Sequence, residues 1–311
     1  TINSTPGQDE IKTQTIWFWD QSEDKYITIN QASPARFIAP SQGFFVEAGG
    51  TGGDSKFDFY ENMQSHQTTD TFQKSTNKRP DERPEIKVFI SSESNTDNTE
   101  LYYINGATTG FDNGYDSSIF GGGDNSFVVY SGLVSNSQGE KLAIQSLPNT
   151  DYENMVVPVG INAVSGKEIK FSVEALNFPA GINVYLEDRL TNTVTRLDET
   201  NSNYSITLTE NTNGFGRFYV HTKSSSQLST DAISLNSISI YKTNATNLRL
   251  VGLPQGKSNV KLFSVLGKQV ISSDFTSNGV HNVSLPNLAT GVYIVQLETE
   301  NGKLNKKITL E

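Results

Sequence analysis

Apolar and polar residues alternate with a period of two along much of this chain. Ile169, Phe171 and Val173 alternate with Lys170, Ser172 and Glu174, and Val184 and Leu186 alternate with Tyr185 and Glu187. Successive side chains of a strand point to opposite faces, so this spacing predicts half-buried strands. No run carries the spacing of an amphipathic helix. Between Glu85 and Lys223 the pattern predicts strands at Ile86–Ser91, Glu100–Ile104, Ser126–Ser131, Lys141–Ser146, Asn154–Ile161, Gly166–Ala175, Asn183–Asp188, Thr193–Asp198, Tyr204–Leu208 and Gly216–Thr222. Many short strands at close spacing predict a sandwich or jelly roll. Toward the end, strands are expected near Ser237–Tyr241, Asn247–Val251, Asn259–Ser264, Gln269–Ser273, His281–Ser284, Gly291–Glu298 and Lys303–Leu310. Their turns are Leu266-Gly267-Lys268, Ser277-Asn278-Gly279 and Glu300-Asn301-Gly302, the last an Asn-Gly hairpin signal. In the first residues, strands are expected at Thr15–Trp19, Tyr26–Ile29, Gly43–Ala48 and Phe57–Tyr60. Trp17 and Trp19 flank Phe18, which puts both indoles on one face.

Two polar stretches divide the chain. Thr68–Glu85 is charged and holds two prolines, and Ser224–Thr230 is rich in serine. The division is a β-rich unit over 1–75 whose beginning is expected to be missing, a linker over 76–84, a β-sandwich or jelly-roll module over 85–223, a linker over 224–231 and a last unit over 232–311. The expected fold class is all-β: tandem β-sandwich or jelly-roll domains ending in a small seven-stranded immunoglobulin-like sandwich.

Composition narrows the function. The 311 residues hold no cysteine, so disulfides, thiolate catalysis and cysteine-bound metals are excluded. The formal net charge of -10 repels phosphate backbones, which argues against nucleic acid as a partner. The chain opens on polar sequence at Thr1, as expected of a mature piece or fragment of a longer precursor.

The last unit carries a specific series of motifs. A strand ends in Leu262 and Phe263, and a turn follows at Gly267-Lys268. Next comes L-x-x-L-x-x-G-x-Y, here Leu285, Leu288, Gly291 and Tyr293. The chain closes on Lys306 and Lys307 before Ile308 and Leu310. In order, spacing and terminal position this unit resembles the type A carboxy-terminal sorting domain of the type IX secretion system of Bacteroidetes. It departs at Tyr241-Lys242-Thr243-Asn244, where family members often carry a tyrosine–proline–asparagine–proline turn. The segments Glu100–Gly122, Leu142–Pro148, Val156–Ile161, Val184–Arg189 and Gly216–Thr222 look like the non-catalytic β module that often precedes this domain in large flavobacterial surface proteins. The front segments IWFWD and Pro40–Ala48 look like an earlier part of the same architecture.

The resemblance implies a cargo exported across the inner membrane by a signal peptide and across the outer membrane by its sorting domain. The partners it implies are an outer-membrane shuttle barrel, the translocon pore and a sortase, with attachment to surface lipopolysaccharide or release after cleavage. Cleavage is expected around Ser224, Ser229, Thr230 and Asp231. The residues expected to be read by the translocon are Leu262, Phe263, Gly267, Lys268, Leu288, Gly291, Tyr293, Lys306 and Lys307. A terminal strand can dock by edge pairing and its lysines can meet acidic groups. On patterning alone, the same segment also reads as an ordinary final hairpin with solubilising lysines.

Residues suited to bond chemistry are sparse. The three histidines, His66, His221 and His281, fall in three different units. Neither a G-x-S-x-G elbow nor H-E-x-x-H occurs. No catalytic residue is expected, and any catalytic domain is expected upstream. Asp112, Asn113 and Asp116 form an oxygen-rich turn that reads either as a calcium site or as an Asx-type turn. Glu187 and Asp188 point to opposite faces and cannot flank one bond; with Arg189 they read as an ion pair closing a strand end. Trp17, Trp19 and Tyr26, with Phe44 and Phe45, read either as a glycan-stacking platform or as sandwich core.

Overall fold

The computed structural model describes residues 11–21, 25–34, 37–39, 41–49, 61, 83–93, 95–152, 155–224, 238–244, 246–277 and 279–310. Among these residues the chain is built from strands, and no helix is long and apolar enough to cross a membrane. A front hairpin pairs β1 (Ile16–Asp20) with β2 (Lys25–Ile29).

One large sheet follows. It contains β3 (Glu85–Ser92), β4 (Asn95–Ile104), β5 (Ser117–Ser118), β6 (Val128–Ser131), β7 (Leu142–Pro148), β8 (Val156–Ala163), β9 (Glu168–Leu176), β10 (Ile182–Asp188), β11 (Thr193–Arg196), β12 (Tyr204–Thr207) and β13 (Thr212–Ser224). The order is β11-β10-β13-β8-β6-β7-β4-β3-β9-β12, with β5 on β7. All pairs are antiparallel except β4 with β7. The sheet curls until it is nearly closed. Phe171 of β9 meets Phe218 of β13 at 4.6 Å between ring centroids, although several strands separate them along the path. The core follows the alternation: Ile86, Val88 and Ile90 of β3, Val157, Val159 and Ile161 of β8, and Val184 and Leu186 of β10 all turn inward. Their neighbours on each strand turn out, which is why a strand period in the sequence becomes one dry interior.

The closure has a polar latch. Asp188, at the end of β10, is fully buried and accepts from the Arg217 guanidinium at 2.8 and 3.0 Å. It also accepts from the Tyr204 hydroxyl at 2.8 Å. Tyr204 opens β12, the far end of the path, so one carboxylate ties that end strand to β10, the strand next to the other end.

The last unit has two sheets. One orders β14 (Ser239–Asn244), β15 (Asn247–Val251) and β18 (Val280–Ser284). The other orders β17 (Gln269–Ser277), β16 (Gly256–Ser264), β19 (Gly291–Thr299) and β20 (Gly302–Leu310). Ile240, Leu248, Leu250, Val260, Leu262, Tyr293, Val295 and Leu297 fill the space between them. The Glu300-Asn301 loop joins β19 to β20 with Thr299 opposite Gly302, so the hairpin expected over Glu300-Asn301-Gly302 forms, with Gly302 paired as the first residue of β20 instead of sitting in the loop.

The strand expected over Gly43–Ala48 is absent. That segment makes only single bridges, Trp17 to Phe45 and Ile11 to Ala48. Its two phenylalanines go to different places: Phe44 packs on Phe18 and Phe45 on Tyr26 and Phe120, so rings and isolated backbone bonds fix the segment without a continuous ladder. The pair β5 was not expected, because two serines carry no alternation. The strand expected at Phe57–Tyr60 lies outside the described residues.

Candidate functional site

Register gathers the motif residues of the last unit at one end of its four-stranded sheet. Phe263 lies opposite Ile294, and Ile294 opposite Lys307. Gly267 adopts a φ of 80°, which favours glycine, and donates its N–H to the Ser264 carbonyl at 2.9 Å. This turn carries Val265 and Leu266 into solvent, at 65% and 93% exposure. Phe263, Ile294, Val265 and Leu266 make an apolar strip, with Lys268 and Lys307 exposed beside it.

The other motif residues build the scaffold of that strip. Leu262 and Tyr293 are buried in the core and Leu288 packs against it. The Tyr293 hydroxyl donates to the Ala289 carbonyl at 2.9 Å, which pins the chain just before β19. Gly291 begins that strand. Lys306 and Lys307 are split by strand alternation. Lys307 faces out with Ile294, whereas Lys306 is half-buried, and burial lowers its ammonium below the ordinary lysine range against the pull of Glu140. Ser224 ends β13; Ser229, Thr230 and Asp231 lie outside the described residues.

A second feature lies between the front hairpin and the large sheet. Thr15 and Ser117 share a hydroxyl contact at 2.7 Å, Trp17 Nε1 donates to the Ser118 carbonyl, and Asn30 Nδ2 donates to the Tyr115 carbonyl at 2.7 Å. These bonds hold the hairpin beside a groove with a volume of about 550 Å³. Trp19 and Tyr26 stand edge to face at 5.0 Å, and Phe120 meets Tyr26 at 4.2 Å. Trp19 is 38% exposed and lines the groove, whereas Trp17 is 5% exposed and belongs to the packing beneath Phe120. Asn95, Asp97, Asn98, Asp124 and Asn125 supply polar edges. Burial raises the Asp97 carboxyl, and the Val129 N–H and nearby Lys25 oppose that rise. The two indoles on one face were legible from alternation. Phe120 and Asp97 were not, because one lies in a loop and the other on β4, both far from the hairpin along the chain.

The oxygen-rich turn is occupied by backbone donors. Asp112 accepts from the Thr108 N–H at 2.6 Å, Asn113 Oδ1 from the Gln14 N–H, and Asp116 from the N–H groups of Asp112 and Ser146 at 2.7 and 2.6 Å. Burial pushes the Asp116 carboxyl up to about 7, with those two donors pulling the other way and Asp112 adding repulsion. Among the described residues no three His, Asp or Glu side chains cluster to hold a metal ion. Glu187 and Asp188 do point apart. Glu187 takes Arg189 at 3.2 Å and His221 at 2.7 Å, while Asp188 takes Arg217.

Comparison with known proteins gives two matches. Residues 236–311 match the family described as secretion system C-terminal sorting domain. Residues 11–221 match the family described as Domain of unknown function (DUF8693), in one span that includes both the front hairpin and the large sheet. None of the curated proteins matches the chain. The last unit is therefore a targeting module of type IX cargo, directing export across the outer membrane to the cell surface or beyond, with no bond chemistry of its own. By the extent of the other match, more than half its length, the chain belongs to the DUF8693 family, here joined to a type IX C-terminal sorting domain.

Proposed function

We propose that the outer-membrane shuttle barrel reads the strip at the end of the four-stranded sheet: half-buried Phe263 and the exposed Gly267-Lys268 turn, Ile294 and Lys307. Leu262, Leu288, Gly291, Tyr293 and Lys306 serve by holding it in shape. The observation that carries this reading is the register Phe263–Ile294–Lys307, which makes one surface from three separated motifs. A solvent-facing apolar strip rimmed by charge is the usual form of an association site. The two-sheet build and the Tyr293 hydroxyl bonded to a backbone carbonyl upstream favour an immunoglobulin-like sandwich for 232–311, since a tyrosine tied back to the chain marks strand corners of that fold.

The chain then divides as a front unit over 1–75 and a module over 85–223 that travel as cargo, and a signal over 232–311. A sortase cuts around Ser224–Asp231, and the cargo is attached to surface lipopolysaccharide or released. The whole chain acts without catalysis. Fusion of residues 225–311 to an inert periplasmic reporter tests the signal. The reporter is expected on the cell surface, open to added protease. A reporter confined to the periplasm refutes this reading.

A second reading is favoured by the groove. Rings of Trp19, Tyr26 and Phe120 beside asparagines and carboxylates suit a neutral polysaccharide, whose apolar sugar faces stack on rings while hydroxyls meet amides and acids. Trp19→Ala removes an exposed ring without opening the core. In affinity electrophoresis the chain is expected to be retarded by a matching polysaccharide. The variant is expected to bind about tenfold more weakly, the worth of one stacked ring. No retardation across a panel of neutral polysaccharides removes the idea.

A further inference from the structure

We infer that the sorting domain is a docked partner of the DUF8693 domain, held by its own interface, so that cutting the connecting segment does not release it. This stands apart from how the translocon reads the other sheet.

The two units share a third apolar cluster. Val128, Tyr130 and Phe215 come from the large sheet; Tyr241 and Val251 come from β14 and β15; all five are buried, and Ile119 and Val280 close the edge. Tyr130 and Phe215 meet edge to face at 5.1 Å. A label on a loose tether has no reason to bury a tyrosine and a valine in its neighbour, because a solvated connection gains nothing from it.

Polar groups fix the geometry. The Arg189 guanidinium lies 3.5 Å from the Tyr219 ring centre, takes Glu187, and donates to the Gly252 carbonyl of the sorting domain at 3.0 Å. Gln255 returns a bond to the Arg189 carbonyl at 3.1 Å. Arg189 is 6% exposed, so its charge is buried only because both units complete its shell. Backbones also meet directly. Gly216 and Gly279 have φ of 117° and 108°, and a Cβ on Gly279 would fall 2.8 Å from the Gly216 carbonyl oxygen. Tyr241 lies against Gly139 in the same way: a Cβ there would fall 2.8 Å from its ring. Three glycines in two units stand where a side chain would hold the surfaces apart.

The face built from β14, β15 and β18 is thus already occupied, and the outward face of the four-stranded sheet that carries Ile294 and Lys307 is left open. A short tether supplies an effective concentration of roughly millimolar, so an interface dependent on it falls apart when the chain is cut and diluted to about 1 μM. The docked arrangement survives that dilution.

The test uses the full chain with a recognition sequence for a specific protease inserted between Gln227 and Leu228. After cutting, a denaturing gel shows two polypeptides, and size exclusion at about 1 μM is expected to give one species at the volume of the uncut chain. With Tyr241→Ala and Val251→Asp together, the cut pieces are expected to separate. Val280→Ser alone replaces that pair if circular dichroism shows the double variant unfolded, and is expected to shift part of the material to separate peaks. Separate elution of the pieces from the unsubstituted chain overturns the inference. Co-elution of folded variant pieces overturns the assignment to this interface.

Discussion

Cargo carrying Leu266→Asp, Ile294→Asp and Lys307→Glu is expected to fold, to accumulate in the periplasm and to be missing from the cell surface. The three positions are solvent-facing, with Leu266 at 93% and Ile294 at 42% exposure, so substitution there leaves no cavity. Together they replace an apolar strip beside a cation by three negative charges. Like-charge contact and desolvated carboxylates each cost several kcal/mol at an association surface, which is at least a hundredfold in affinity. Deleting the whole domain is the weaker experiment. It would uncover Val128, Tyr130 and Phe215, and aggregation of the remainder would look like failed export. The surface variant separates the two effects. Protease accessibility on intact cells, with periplasmic extract as the control, reads the outcome. Normal surface levels of the triple variant would show that recognition lies elsewhere on the domain.

The second large effect concerns the latch. Arg217→Ala is expected to destabilise the DUF8693 domain by about 3–5 kcal/mol, because it strands a buried carboxylate. With a urea slope of about 2–3 kcal/mol/M, the midpoint falls by roughly 1–2 M. Burial alone would raise the Asp188 carboxyl, but the Arg217 and Tyr204 bonds outweigh it and hold the group below the ordinary carboxylate range. The sign of the pH dependence follows. The unfolded chain takes up its proton at higher pH than the folded one, so the stabilisation is present above the ordinary aspartate range. It is lost as pH falls through the folded value. Arg217→Ala is expected to flatten that acid slope. The double variant Asp188→Ala, Arg217→Ala is expected to cost less than the sum of the single ones, since no lone charge remains. An additive double variant with an unchanged acid slope would show that the pair is not coupled.

Strand positions were readable because alternation is a local property. The expected strand Asn247–Val251 matches β15 in full, and Ile86–Ser91 lies within β3. The opposed directions of Glu187 and Asp188 followed from the same rule, as did the shared face of Trp17 and Trp19. Expectation failed where fixing is not by a continuous ladder: rings and isolated bridges hold Gly43–Ala48. The motif residues were legible as a set, yet their division into scaffold and surface was not. Leu262 and Phe263 are neighbours in the chain and part company only because one face of β16 is covered.

By itself the sequence determined an all-β chain, the turn between β19 and β20 and an export signal at the end, since each depends on residues close together along the chain. The tertiary structure alone decided that Asp188 closes the large sheet through Tyr204, that Phe120 completes a groove with Trp19, and that one face of the sorting domain is buried against its neighbour. A period of two declares that a strand has two faces. Which of them meets water depends on surfaces brought together from far along the chain, and no local pattern records that.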